Sequence, residues 1–125
     1  MFKVILAVGT GGFIGSVGRF YISKYFQVLS GSSFPLGTFV VNVIGCFMIG
    51  LFYGLFMKYS DLSPAWRLFL TTGFCGGFTT FSTFSYENIA LLRDGQYVFF
   101  FSYTSASLLI GLLFTFVGLM LSKMI

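Results

Sequence analysis

Four apolar stretches, each long enough to cross a bilayer, take up nearly the whole chain. A hydrocarbon core about 30 Å thick needs about 20 predominantly apolar residues per helix. The first stretch runs from about Phe2 to Phe26, the second from Leu36 to Met57, the third from Pro64 to Leu92 and the fourth from Tyr97 to Leu121. Short connections fall at Ser30 to Phe34, Tyr59 to Ser63 and Arg93 to Gln96. Pro64 suits a first helical turn with Ser63 as its N-cap, and Asp94-Gly95 is a turn signal. Only 8% of residues are charged, against about 25% in soluble domains. The expectation is an all-α integral membrane fold, one four-helix domain over residues 1–125. The first stretch is too long for a signal peptide and lacks a small-residue cleavage site, so it is expected to remain as a span.

The third stretch is unlike the others. Gly73, Gly76 and Gly77 lead into Thr79, Thr80, Ser82, Thr83, Ser85 and Tyr86, with Thr72 just before and Phe81 and Phe84 interleaved. Polar groups at membrane depth must find partners, and an unmet one costs several kcal/mol. A helix absorbs one or two hydroxyls by bonding them to carbonyls one turn back, but it absorbs this density poorly. The stretch is therefore read as a helix broken mid-membrane that lines an ion or substrate path.

Composition removes several functions. There is no histidine, which removes the commonest metal ligand, the commonest general base and the usual triad partner. Cys46 and Cys75 lack the spacing of a metal or redox motif and read as packing residues. The net charge of +4 is ordinary for basic helix ends and carries no nucleic-acid footprint. Lysine and arginine are nearly balanced between the two faces: Lys3, Lys58, Arg67 and Lys123 against Lys24, Arg93 and Arg19. Since this asymmetry sets orientation, insertion both ways and an antiparallel assembly are expected. Gly11/Gly15, Gly50/Gly54 and Gly73/Gly77 are GxxxG pairs that let helix backbones approach. A four-helix bundle fills its own centre, so a path through this protein implies an oligomer.

Candidate polar residues follow from depth and spacing. Thr38 and Asn42 share a helix face, and Asn42 serves either an interhelical hydrogen bond or a ligand. Phe81 and Phe84 also share a face. They are either packing residues or rings whose positive edges meet a small anion, with Asn42, Thr80, Ser82 and Thr83 as donors. Tyr103 and Ser107, beside Ser102, Thr104 and Ser105, form a second polar patch. Arg19 either snorkels or gives a vestibule positive potential. Glu87 is expected to cap backbone groups or pair with a cation.

Three segments together carry a resemblance: GGFIGSVGRF (Gly11–Phe20), GTFVVNVIGCF (Gly37–Phe47) and GFCGGFTTFSTFSYE (Gly73–Glu87). In order and spacing the chain resembles the Fluc (CrcB-type) fluoride channels over essentially its whole length. The resemblance implies a non-enzymatic, passive fluoride channel of the bacterial inner membrane. It implies an antiparallel, dual-topology homodimer with two pores. It places Phe81, Phe84, Asn42, Ser82, Thr83, Tyr103 and Ser107 on the fluoride path and Arg19 in a vestibule. It also implies a structural sodium ion at the dimer centre, held by the backbone carbonyls of Gly76 and Thr79. Two other readings stand beside it. A proton-coupled multidrug exporter needs a deep carboxylate, and only Glu87 is available, near a span end. A non-transporting scaffold subunit explains the glycines but leaves the polar break unexplained.

Overall fold

A computed structural model describes residues 1–125, and every regular element in it is helical. Helix α1 spans Phe2–Ser30 and α2 spans Leu36–Lys58. The third apolar stretch is a series: α3 (Pro64–Leu68), a π-helical segment (Phe69–Cys75) and α4 (Gly76–Phe78), followed after a break by α5 (Phe81–Arg93). Helix α6 spans Tyr97–Met124. Three helices, α1, α2 and α6, are long and apolar enough to cross a membrane.

The helix ends have local causes. Ser63 caps α3, its Oγ accepting the Trp66 N–H at 3.4 Å. Helix α1 runs one turn past the expected Phe26. It stops at Gly31, whose φ of 62° is the left-handed conformation that glycine adopts without a Cβ penalty. Gln27 then steers the chain into α2. Its Nε2 donates to the carbonyls of Ser32 (3.2 Å) and Phe34 (3.0 Å), while Oε1 accepts the Gly37 N–H at 3.0 Å. Phe34 anchors the connection edge-on against Phe99 and Tyr103, with ring centroids 5.5 and 5.6 Å apart.

Two helix pairs dominate the packing. Helix α2 lies along α6, and α1 lies along the Pro64–Phe78 series. Glycines set both separations. A Cβ on Gly11 or Gly15 would collide with the backbone of Phe69 or Phe74 across the interface, and one on Gly77 with the Gly12 carbonyl. In the other pair, Gly50 faces Thr115, Gly54 faces Ser122 and Gly118 faces the Phe47 carbonyl. All three expected GxxxG pairs therefore sit at close helix contacts. Without a hydrophobic drive between helices in lipid, such backbone approach is what association rests on.

The exterior is apolar. Only 20 of 125 residues are buried, while Phe2, Ile5, Phe13, Phe20, Leu109 and Phe116 face outward. Outward-facing rings and branched chains on this scale suit a hydrocarbon solvent. Gly15→Ala is expected to destabilise the bundle by about 1–3 kcal/mol through overpacking. Gly9→Ala, where a Cβ meets nothing within 4 Å, is expected to change nothing. Unfolding midpoints in mixed micelles check both.

Candidate functional site: a polar groove at the helix break

The break is two residues long. Thr79 (φ −95°, ψ 160°) and Thr80 (φ −152°, ψ 115°) are extended between α4 and α5. Extended backbone inside a helical bundle strands peptide groups, and each stranded group needs a partner. Asn42 supplies two bonds at once. Its Oδ1 accepts the Thr80 N–H at 2.9 Å, and its Nδ2 donates to the Thr80 carbonyl at 3.2 Å. One amide thus replaces a neighbouring peptide, and one of its two N–H groups remains. Thr80 caps α5, its Oγ1 accepting the Thr83 N–H at 3.1 Å. Arg19 reaches across from α1, where Nε donates to the Gly77 carbonyl at 2.9 Å. Its positive charge there complements the C-terminal end of the Pro64–Phe78 series.

A groove of about 710 Å³ opens at this break. Asn42, Gly76, Thr79, Phe81, Phe84 and Ser107 all line it, so the fold brings six of the expected site residues together. The Phe81 and Phe84 rings lie 5.8 Å apart and tilted by 41°. Tyr103 stands behind Phe84 at 4.9 Å, fully buried. Ser107 Oγ is the one buried side-chain polar atom without a hydrogen-bond partner. Ser82 and Thr83 are not part of the groove lining. Ser82 is exposed, with its Oγ 3.4 Å from Thr80 Oγ1. Arg19 lies on the α1 side of the break, outside the groove.

Glu87 neither caps backbone nor pairs with a cation. Its two oxygens accept hydroxyl hydrogens from Thr38 and Tyr103, both at 2.9 Å. Thr38 and Asn42 do share a face, as their spacing requires, and that whole face docks on the α5 end of the break. A bound, doubly hydrogen-bonded Glu87 is a poor match for a shuttling carboxylate. Two residues escaped sequence reasoning. Gln27 shapes the α1–α2 connection, and buried Asn88 joins α5 to α6. Asn88 Nδ2 donates to the Phe84 carbonyl at 3.1 Å, and Oδ1 accepts the Thr104 hydroxyl at 3.1 Å. The only sequence hint was an amide four positions after Phe84.

No group of three or more His, Cys, Asp or Glu side chains is placed to hold a metal. What the break offers a cation is backbone. Thr80 N–H goes to Asn42 instead of the Gly76 carbonyl, and Thr83 N–H goes to the Thr80 hydroxyl instead of the Thr79 carbonyl. Gly76 and Thr79 both face the groove. Carbonyl oxygens without helical donors suit a hard cation, so the residues present fit such an ion.

This arrangement has known counterparts. The family model of the CrcB-like protein, Camphor Resistance (CrcB), matches residues 6–119. The chain belongs to the CrcB-like family. Its relatives include proteins named fluoride-specific ion channel FluC. That of Chlorobaculum tepidum is 48% identical over 122 residues, covering 98% of this chain and 96% of the relative. That of Flavobacterium psychrophilum is 46% identical over 125 residues (97% and 98%), and that of Pyrococcus horikoshii is 42% identical over 121 residues (97% of each). Family membership and the apolar helices make the chain a multi-pass membrane protein. For this member of the family, Asn42→Ala is expected to strand both Thr80 peptide groups, at about 1–3 kcal/mol for each group left buried. Amide exchange at Thr80 and Phe81 checks it, with faster exchange expected in the variant.

Proposed function

We propose that this chain is a passive, fluoride-selective channel that lets fluoride leave the cytoplasm, and that it is not an enzyme. The observation that carries the reading is the groove at the break. It holds an unpartnered hydroxyl on Ser107, a spare amide N–H on Asn42, and the rings of Phe81 and Phe84. A small anion leaving water needs N–H and O–H donors in place of its hydration, and ring edges carry positive potential. The name shared by the relatives, fluoride-specific ion channel, supplies the ion.

The path runs past Asn42, Phe81, Phe84, Tyr103 and Ser107, with Ser82 and Thr83 at the start of α5 continuing it. Arg19 adds positive potential to a vestibule while holding the Gly77 carbonyl. The Pro64–Phe78 series and α5 together form the third, interrupted crossing, since neither is long enough alone. A groove lined by Asn42 and threonines cannot be left facing lipid, and Phe81 is 79% exposed on the single chain. A second copy is the cover proposed. The weak lysine and arginine asymmetry supports an antiparallel, dual-topology homodimer, with one path per chain and two pores. A sodium ion at the dimer centre is held by the Gly76 and Thr79 carbonyls, and its role is to neutralise stranded backbone dipoles. The membrane is the bacterial inner membrane. There, hydrogen fluoride entering from acid surroundings loses its proton, and a negative-inside potential worth about 2.3 kcal/mol per charge per 100 mV drives the anion out.

Fluoride efflux from liposomes, with valinomycin clamping the potential, tests the reading. Rapid fluoride release without chloride release, and without need of a proton gradient, is expected. Release only under a proton or drug gradient would replace it with a coupled exporter. Phe81→Ile and Phe84→Ile are each expected to slow fluoride release about tenfold, the loss of an aromatic contact worth about 1.5 kcal/mol, while leaving assembly intact. A C-terminal reporter is expected to read both sides of the membrane, and one that reads a single side removes the antiparallel dimer.

A further inference from the structure

We infer that Asn88 and Thr104 form a latch that fixes Phe84 against α6, which makes both of them positioning residues for the path. The inference rests on the channel reading above and adds two residues to it.

Helix α5 is thinly held. It has 13 residues, begins at the extended Thr80 and packs sparsely on its neighbours compared with the α2–α6 pair. Its place is set by discrete side-chain bonds. Asn42 and Thr80 hold its start, and Glu87 and Asn88 hold its middle to Tyr103 and Thr104. Asn88 is the member that touches the turn carrying Phe84. Only 6% of it is exposed, so an unmet amide there would be costly. Its N–H grips the Phe84 carbonyl and its oxygen takes the Thr104 proton. The Phe84 backbone is thereby tied to α6 through one rigid amide.

The latch also decides which hydroxyl in the groove can donate. Thr104 and Ser107 both line it, one turn apart on α6. A hydroxyl has one proton. Thr104 commits its proton to Asn88, while Ser107 has no partner. Asn88 thus withdraws one donor from the groove, while Ser107, which lines the same groove as Phe84, keeps its own.

Thr104→Val keeps volume and loses the hydroxyl, and Thr104→Ser restores the hydroxyl. Asn88→Ala removes the amide. Two readouts are taken on the full-length protein in liposomes: hydrogen exchange over residues 81–93, and fluoride and chloride efflux. Thr104→Val and Asn88→Ala are expected to speed exchange in α5. They are also expected to slow fluoride release by about three- to twentyfold, the range of one intramembrane hydrogen bond, with a lowered fluoride-to-chloride ratio. The double variant is expected to be no worse than the more severe single one, and Thr104→Ser to behave as wild type. Tyr97→Phe, which removes an exposed hydroxyl at the start of the same helix, is the control. If Asn88→Ala fails to assemble, the isosteric Thr104→Val decides. Unchanged exchange overturns the latch, and this holds even if wild-type protein passes no fluoride, which would instead defeat the channel reading. Faster exchange with wild-type flux and selectivity overturns the positioning role. Strictly additive losses overturn the pairing.

Discussion

Everything in this fold depends on how the peptide groups at Thr79 and Thr80 are satisfied. A helix in lipid meets its own backbone needs, and a two-residue interruption ends that. Three side chains repair it from three directions. Asn42 on α2 takes both groups of Thr80, Thr80 itself caps α5, and Arg19 on α1 takes the Gly77 carbonyl. The repair is incomplete in one respect, since the Gly76 and Thr79 carbonyls lose their helical donors to these other bonds. Thr80 spends its N–H on Asn42, and Gly76 and Thr79, whose carbonyls have lost their helical donors, line the groove.

The glycine contacts make that repair reachable. Arg19 lies one turn beyond Gly15, where α1 touches the Phe74 and Phe78 backbone. A side chain at Gly11 or Gly15 would push the two helices apart and draw the guanidinium away from Gly77. On the other side, Gly45 sits against the Thr79 methyl and Phe78 ring, one turn beyond Val41 and close to Asn42. Close backbone packing and polar capping are thus one device here. The first brings the second within hydrogen-bond range.

Much of this could be read from residues. Four apolar stretches, a polar third one, Ser63 as a cap and the shared face of Thr38 and Asn42 all follow from length, density and period. What local pattern could not supply was partnership. Thr80 and Glu87 lie 38 and 49 positions from Asn42 and Thr38, and period says which face a residue occupies, not what meets it. Glu87 illustrates the limit: a carboxylate near a helix end suggests a cap or a cation, and the fold gave it two hydroxyls. Helix α1 outlasts the apolar run that reaches Phe26 because nothing stops it before Gly31. The π-helical segment left no signal that an α-helix would not share. A single amide near the end of an apolar run names no partner, so Gln27 and Asn88 carry no local signal of the bonds they make.

Hydroxyl density, which first marked the third stretch, overstates what it can offer an anion. An anion takes protons, and several of the hydroxyl protons around the groove are already assigned. Thr71 and Thr79 return theirs to carbonyls one turn back, Thr38 and Tyr103 give theirs to Glu87, and Thr104 gives its to Asn88. Among the hydroxyls lining the groove, Ser107 is the one both buried and without a partner, and Asn42 keeps one N–H. The hydroxyls of Thr38, Tyr103 and Thr104 thus serve to hold α5 in place, and their protons are spent on Glu87 and Asn88.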